Sequence, residues 1–326
     1  MKILVVGATG QLGYTLVDKL KDGPHQVFAM HRRSSHIAPL QQWPQVELRQ
    51  ADLTQPETLI KAVKGMDAVI CTANSACPTQ KEDDIQKTDI DGVISLIRAS
   101  EEAGIKQFIY TSAIYFGDAD DKIPISRAKR IIEKTLASSS LDYTILRPGT
   151  FMEVYLPYLG TDLPLKGSQV STVYRPFKFS NNFFKGIQHD IAEKGRINII
   201  GKGLAKASYI SVQDVAEFHI KALGRKSAFR KTYTIGGPEP LSALDLKGIF
   251  EELYGKPLKI KSSPPILIKL IAKVMSFSNP AASNIMYLNY YSAMADHVVP
   301  HALETAESFG VKLTSVKEFL EEKKVA

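Results

Sequence analysis

Cysteine is scarce in this chain of 326 residues, and the two that occur, Cys71 and Cys77, have no paired spacing. This scarcity argues against a disulfide framework and against a zinc site. A long apolar run is also missing, because the longest, over 264–277, is interrupted by Lys269 and Lys273 and is too short to span a bilayer. The first predicted strand starts at the N-terminus and leaves no room for a targeting segment. We therefore expect no metal, no membrane span and a cytoplasmic protein.

A concentrated run of basic residues is absent as well. The formal net charge is +7, but lysine and arginine are dispersed, and no recognised DNA-binding motif occurs. We expect no direct nucleic-acid partner, and a charged cofactor or a solvated basic surface accounts for the excess charge. The contents of 44% hydrophobic and 23% charged residues are those of an ordinary globular protein of one large domain or two closely joined ones.

A glycine-rich turn stands at the start of the chain. Residues 2–6 predict a buried strand, and leucine then recurs at the spacing of an amphipathic helix. Between them, Gly7 permits a tight turn, Gly10 lets a ligand approach the backbone, and Gly13 lets the helix pack closely on the strand. The helix N-terminus directs unpaired amides at an anion. The motif therefore predicts a cradle for the phosphates of a ligand.

Strand and helix patterns alternate through residue 150. After the first strand, further strands are predicted over 25–30, 46–50, 66–74, 107–112 and 143–147, and helices over 85–103 and 123–138. Strict alternation is typical of an α/β fold with a doubly wound parallel sheet, whose ligands bind at the carboxyl ends of the strands.

The second half of the chain changes character after a break at 148–152. We predict a dinucleotide-binding domain over 1–150, with returning segments at about 206–236, and a smaller interleaved substrate domain over 151–205 and 237–326. Apolar residues in 264–277 recur at helical spacing. We interpret them as a helix that covers the substrate cleft, with a membrane-surface role as the alternative.

Two arginines follow the second predicted strand, where an NAD site would place an acidic residue for the ribose hydroxyls. Guanidinium groups such as those of Arg32 and Arg33 can bind a 2′-phosphate, so we expect NADP, with NAD possible; two solvated arginines in a loop are the alternative. After the third strand, Asp52 can accept a hydrogen bond from the adenine amino group or cap the helix that begins near Pro56. Thr72 and Ala73 are small enough to let the cofactor pass.

These motifs resemble the short-chain dehydrogenase/reductase superfamily, in particular its atypical, NmrA-like branch. The matching stretches are Gly7-Ala-Thr-Gly10, Ala51-Asp-Leu-Thr54, Phe108-Ile-Tyr-Thr-Ser112, Tyr143-Thr-Ile-Leu-Arg-Pro-Gly149, Tyr209-Ile-Ser-Val-Gln-Asp-Val-Ala216 and Gly236-Gly-Pro-Glu239. The resemblance implies a Rossmann fold that binds a nicotinamide dinucleotide. The expected cofactor contacts are Gly7, Thr9, Gly10, Gln11, Leu12, Gly13, Arg32, Arg33, Asp52, Leu53, Thr72, Ala73, Lys129, Pro148 and Phe151.

The resemblance also assigns catalytic roles, one of which this chain cannot fill. In the superfamily a Tyr-x-x-x-Lys pair on one helical face transfers the proton, and a serine orients the substrate carbonyl. Ser112 and Lys129 match the serine and the lysine, but Ile125 stands where the tyrosine would be. Tyr115 could supply a hydroxyl or simply pack; Lys129 could donate the proton or only hold the ribose; Ser112 could contact cofactor instead of substrate.

Two functions follow from this departure. The first is an NADP-dependent oxidoreductase that acts on a small organic substrate of carbonyl, quinone or enone type and uses Lys129 or Tyr115 in an unusual way. The second is a non-catalytic NADP-binding redox sensor or assembly factor, with a protein partner. The resemblance allows both, because its members include reductases, regulators without turnover, and assembly factors.

Overall fold

The computed structural model describes residues 1–77, 84–174 and 177–325. Within them the β-strands are β1 (Lys2–Val6), β2 (Gln26–His31), β3 (Val46–Gln50), β4 (Ala68–Cys71), β5 (Gln107–Thr111), β6 (Asp142–Pro148), β7 (Thr150–Phe151), β8 (Arg196–Ile200), β9 (Lys206–Ile210), β10 (Lys231–Ile235), β11 (Pro240–Ser242) and β12 (Lys259–Ser263). The α-helices are α1 (Gln11–Leu20), α2 (Ala38–Gln41), α3 (Pro56–Val63), α4 (Val93–Glu102), α5 (Pro124–Ala137), α6 (Met152–Tyr155), α7 (Val170–Val173), α8 (Lys178–Ile187), α9 (Asp190–Lys194), α10 (Val212–Ala222), α11 (Ala243–Tyr254), α12 (Pro265–Met275), α13 (Pro280–Met294), α14 (Ala302–Phe309) and α15 (Val316–Val325).

Seven parallel strands form the central sheet, in the order β10-β6-β5-β4-β1-β2-β3. The order reverses at β1: the chain moves outward through β2 and β3, and then returns to β4 on the other side of β1. Helices cover both faces, so the predicted doubly wound α/β fold is confirmed. Crevices for ligands form at such a reversal, outside the carboxyl ends of the strands.

Alternation along β1 shows how the two faces are built. Ile3 and Val5 point into a core shared with α1, α10 and α14, whereas Leu4 and Val6 point into a core shared with α3, α4 and α5. Successive side chains of a strand point to opposite faces, and a run that is apolar throughout therefore belongs to a strand buried on both sides.

The later part of the chain is divided between the central sheet and smaller sheets. β10 and α10 return to the first half, with β10 at the edge of the central sheet and α10 packed on α1. β9 pairs with β7 and β11, and β8 pairs with β12, over a separate core that includes Leu246 and Phe250. The predicted division into interleaved domains stays a prediction.

Two predicted helices differ from the observed ones. The helix expected over 85–103 begins as a π-helix, Ile85–Gly92, before α4. At Gly92 a Cβ would come within 2.7 Å of the Leu53 carbonyl oxygen, so the wide turn lies directly against the loop after β3. The helix expected over 264–277 is observed as α12, and it packs on α13. The neighbouring helix α13 contacts α5, because the Asn284 side chain accepts a hydrogen bond from the Ile125 amide.

Candidate functional site

A cleft lies over the carboxyl ends of β1, β2, β3 and β4, where the order of the sheet reverses. Its described lining combines polar and apolar groups and comes from six parts of the chain: Val6, Gly7, Thr9 and Gly10; Met30, His31, Arg32, Ser34, Ser35 and His36; Ala51, Asp52 and Leu53; Thr72, Ala73, Asn74 and Ser75; Thr88; and Ser171. The structure thus brings together eight of the predicted cofactor contacts: Gly7, Thr9, Gly10, Arg32, Asp52, Leu53, Thr72 and Ala73.

The glycine turn after β1 has no room for side chains. Gly7 has φ +86°, and a Cβ there would come within 2.8 Å of both the Ala73 nitrogen and the Thr72 hydroxyl oxygen. A Cβ on Gly13 would lie 2.1 Å from the Gly7 carbonyl oxygen. A side chain at Gly7 is therefore excluded by the residues at the end of β4, and one at Gly13 is excluded by the close contact of α1 with the turn, as the motif predicts.

The N-terminus of α1 is open toward the cleft. Gly10 is the N-cap residue and supplies no side chain to cap the helix, so the amides of its first turn keep their capacity to bind an anion. Gln11 and Leu12 begin this helix, and Leu12 is partly buried against the core beneath it. A pyrophosphate fits this cradle because it supplies the negative oxygens that free amides need.

The turn after β2 separates the two arginines. Arg32 is half-buried and lines the cleft, and its amide donates to the Ser35 hydroxyl at 3.0 Å. Arg33 is exposed and is not among the described residues that line the cleft. Ser34 and Ser35 do line it, and sequence reasoning missed both, although two serines directly after the arginines were a usable signal. A guanidinium with neighbouring hydroxyls suits a phosphate group.

Asp52 sits at the cleft, but not as a helix cap. Its carboxylate accepts hydrogen bonds from the Thr54 amide at 2.9 Å and the Thr54 hydroxyl at 2.8 Å. The N-cap residue of α3 is Gln55, which makes no side-chain capping bond. The alternative prediction, that Asp52 caps α3, is therefore wrong, because its carboxylate closes the turn that precedes the helix. The adenine contact stays a prediction.

Asp89 is a buried acid that sequence reasoning missed. Ser75, which lines the cleft after β4, donates its amide (3.0 Å) and its hydroxyl to the Asp89 carboxylate. The carboxylate stands on the π-helix and is almost fully buried. Its negative charge also favours the protonated form of Lys129.

Lys129 is buried on α5 with its charge directed at β5. Its Nζ donates to the Thr111 carbonyl oxygen at 3.0 Å and lies 4.8 Å from the centroid of the Tyr110 ring. Burial lowers the pKa of Lys129, and the nearby Asp89 opposes that shift. Burial also raises the pKa of Cys71 to about 11, so this thiol stays protonated and unreactive.

Ser112 takes part in a buried network of charged groups at the end of β5, not in the cleft lining. Its hydroxyl donates to the Glu133 carboxylate at 2.5 Å. Glu133 also accepts from Arg147 (Nε, 2.8 Å) and Arg130 (Nη1, 2.8 Å), and Arg130 lies 3.2 Å from Asp120. Two carboxylates and two guanidiniums thus balance one another. Glu133 was missed because its partners come from three elements that only the fold brings together.

The remaining predicted residues lie around this network. Ile125 is buried one turn before Lys129 on α5, as the spacing requires. Tyr115 is 57% exposed, with the Arg130 guanidinium 6.0 Å from its ring centroid, and it is not among the described residues that line the cleft. Pro148 ends β6, and Phe151 in β7 is half-buried against the core; neither is among the described residues that line the cleft.

The described residues contain no group of three or more His, Cys, Asp or Glu side chains that could hold a metal ion. None of their helices combines the length and the apolar character that crossing a bilayer requires.

Comparison with known proteins gives the family. Residues 7–167 match a model described as NAD(P)H-binding. The chain is 29% identical over 277 residues to the photosystem II assembly factor Ycf39 of a Synechocystis strain, which covers 85% of this chain and 75% of that protein. It is 37% identical over 155 residues to an uncharacterized sugar epimerase, YhfK, of Bacillus subtilis, over 46% of this chain and 72% of that protein.

Solved structures share the fold over nearly the whole length. An NADPH-dependent quinone oxidoreductase of Escherichia coli, complexed with NADPH, has a TM-score of 0.69 at 20% identity and covers 98% of this chain and 99% of its own. A Citrobacter triphenylmethane reductase complexed with NADP(H) has a TM-score of 0.71 at 20% identity, over 99% and 100%. This shared fold, taken with the match to the NAD(P)H-binding model and the 37% identity to YhfK, shows that the chain belongs to the NAD(P)H-binding, Rossmann-fold proteins of the atypical short-chain dehydrogenase/reductase type.

Proposed function

We propose that the protein is an NADPH-dependent reductase of a conjugated, electron-poor acceptor such as a quinone or an enone. The observation that carries this proposal is the pair on α5: apolar Ile125 stands one turn before the buried amine of Lys129. A simple ketone needs an acid to protonate the developing alkoxide. A quinone or an enone spreads the arriving charge over its conjugated system and depends less on a well-placed acid.

The cleft supports NADPH as the cofactor. The amides at the start of α1 would bind the pyrophosphate, and Arg32 with Ser34 and Ser35 would surround the 2′-phosphate. When bound, NADPH supplies a hydride. The chain's own residues then have to position the acceptor and provide the remaining proton.

Lys129 is the residue proposed to provide that proton. Because burial lowers its pKa, the amine releases a proton more readily than an exposed lysine does. The nearby Asp89 carboxylate opposes that shift and favours the protonated amine. The solved structures with this fold include a quinone oxidoreductase and an isoflavone reductase, which supports this class of acceptor.

The test is NADPH consumption with a panel of quinones, enones, aldehydes and ketones. We expect turnover of quinones or enones and negligible turnover of simple ketones. Lys129→Met lowers kcat by roughly 10²-fold or more, while Lys134→Met, on an exposed position of the same helix, leaves it unchanged. Rapid ketone reduction by the wild type would show that another acid occupies the site.

A second function, a non-catalytic NADPH-binding assembly factor or redox sensor, has its own support. The Ser112 hydroxyl is engaged by Glu133, and the identity to an assembly factor extends over 85% of the chain. Tight NADPH binding with no turnover of any acceptor in the panel would favour it. A protein partner retained with NADPH and released with NADP⁺ would then establish the sensor.

A further inference from the structure

An exposed apolar face lies on the outer side of α12. Five large apolar side chains on this helix and just after it are 48–88% exposed: Ile266, Leu267, Leu270, Val274 and Phe277. Positions 266, 270, 274 and 277 are separated by four, four and three residues, so they form one stripe along the helix. We call these five residues the α12 face.

The opposite side of α12 is already occupied. Ala272 is fully buried, and its carbonyl oxygen accepts a hydrogen bond from the Ser283 hydroxyl of α13 at 2.7 Å. The α12 face is therefore the side directed away from the body of the protein. With 11 residues, α12 is about 16 Å long, which is too short to cross a bilayer but long enough to lie along its surface.

The chain segment that carries the α12 face has side-chain charges of one sign. The sequence contains no Asp or Glu between Glu252 and Asp296, whereas it contains five lysines there: Lys256, Lys259, Lys261, Lys269 and Lys273. Lys269 and Lys273 lie together along one edge of the apolar stripe, and both are exposed, with the Lys269 Nζ 5.3 Å from the centroid of the Tyr290 ring on α13. Lys259 and Lys261 are exposed on β12, which directly precedes α12.

We propose that the α12 face docks the protein on an anionic membrane surface, with the apolar stripe at the boundary between headgroups and acyl chains and the lysines on the headgroups. An apolar stripe with lysines beside it and no acidic residue is the pattern of a helix that lies in the plane of an anionic bilayer. A second copy of the chain is a poorer occupant, because it would set lysines against lysines. This inference is independent of the proposed reaction.

The experiment is co-sedimentation of the full chain with vesicles at physiological salt. We expect binding to vesicles of phosphatidylcholine mixed with phosphatidylglycerol, little binding to phosphatidylcholine alone, and release at high salt. The double variant Leu270→Ser/Val274→Ser abolishes binding. The double variant Lys269→Gln/Lys273→Gln weakens it by about fivefold for each lysine, since a basic residue near an anionic surface contributes ~1 kcal/mol.

Leu303→Ser is the matched control, because Leu303 is also exposed (59%) but lies on α14. It should bind vesicles like the wild type. NADPH affinity should be the same in every variant, which shows that each one is folded. No binding to mixed vesicles, or equal binding to both kinds of vesicle, would overturn the proposal. A dimer in sedimentation equilibrium that Leu270→Ser/Val274→Ser dissociates, without vesicle binding, would make the α12 face an interface between copies.

Discussion

Two neighbouring parts of the same sheet edge have opposite character. Over β1, β2 and β4 the loops leave an open cleft with a free helix N-terminus and small side chains. Over β5 and β6 the corresponding region is filled by the Ser112–Glu133 contact, Arg130, Arg147 and Asp120; we call these five residues the charged corner. The residues that line the cleft are therefore distinct from the residues at the end of β5 where the family places its carbonyl chemistry.

The physical reason is where each region finds its hydrogen-bond partners. Amides at the start of a helix have no intrahelical acceptor, so the cleft binds best when an external anion is present. The charged corner needs no external partner, because its carboxylates and guanidiniums form ion pairs with one another. A substrate carbonyl there would have to compete with Glu133 for the Ser112 hydroxyl.

The largest effect is expected when the charged corner is broken. Glu133→Ala leaves two guanidiniums without their shared carboxylate in a mostly buried place, which costs about 3–5 kcal/mol of stability. NADPH affinity of the folded fraction should be almost unchanged, because the cleft does not use Glu133. Denaturant unfolding and calorimetric titration measure the two quantities. Glu102→Ala, at an exposed position on α4, is the control, and an equal loss of NADPH affinity in Glu133→Ala would contradict the separation.

A smaller loss of stability is expected at low pH, and it depends on His219, which contacts Thr111 at the end of β5. His219 is fully buried between the Thr111 hydroxyl (2.8 Å) and the Val215 carbonyl (2.7 Å), and burial lowers its pKa to about 4. In the unfolded chain the His219 side chain has its ordinary pKa of about 6.5, so between that pH and about 4 it is protonated in the unfolded chain and neutral in the folded one. Stability therefore falls as the pH falls from ~6.5 to ~4, by about 3 kcal/mol.

The matched variant for this prediction is His219→Gln, which has no proton to take up in that range. Its free energy of unfolding should depend less on pH between those limits, whatever its absolute stability. Chemical unfolding at a series of pH values measures the slope. Equal slopes for the wild type and the variant would show that His219 does not control the acid response.

The open cleft could be predicted from the sequence to a greater extent than the charged corner. Its central part, Gly7 to Gly13, is a contiguous motif whose turn, helix start and close packing follow from residue type. The same reasoning did not separate Arg32 from Arg33, because only the path of the turn after β2 decides which one lines the cleft. Glu133 and Asp89 were missed because each meets its partner through the fold, across 21 and 14 positions of sequence.

The packed pair of helices α12 and α13 shows a different limit of prediction from sequence. α12 was predicted from its apolar spacing, but α13 was not, because its residues are half-buried almost all round and give no single apolar stripe. β12 was missed since lysines alternate along it, as an exposed edge strand allows. Hydrophobic periodicity in the sequence identifies an element with one buried face. It does not identify an element that is packed between two partners or exposed at the edge of a sheet.

The next largest effect, a loss of NADPH affinity, is expected from a substitution in the glycine turn over 7–13. Gly13→Ala places a Cβ 2.1 Å from the Gly7 carbonyl oxygen, which α1 can avoid only by moving away from the turn. We expect NADPH affinity to fall by about 10²-fold or more, since the anion site depends on that geometry. Gly248→Ala is the matched control: it is also helical, has no atom within 4 Å of the added Cβ, and should gain up to about 1 kcal/mol of stability. Unchanged NADPH affinity in Gly13→Ala would contradict the cradle.

A more selective effect is expected at the turn after β2. Arg32→Ala should lower NADPH affinity by roughly tenfold, because a charge-assisted hydrogen bond contributes about 1.5–3 kcal/mol, and should leave NADH affinity unchanged. Arg33→Ala, at the exposed neighbour, should change neither by more than about twofold. Calorimetric titration of both cofactors with both variants tests the assignment. A larger loss of NADPH affinity at Arg33 would reverse it.

The smallest effect concerns an attempt to restore carbonyl chemistry with Ile125→Tyr. The variant has the family's Tyr-x-x-x-Lys spacing with Lys129, yet we expect ketone turnover no higher than in the wild type. The Ser112 hydroxyl stays with Glu133, and the position is buried, so the larger side chain costs about 1–3 kcal/mol of stability. NADPH consumption with small ketones, beside an intact NADPH titration, measures this. A well-placed general acid is worth about 10²–10⁴-fold in rate, so a gain of that size would prove that the charged corner admits a substrate and lacks only the tyrosine.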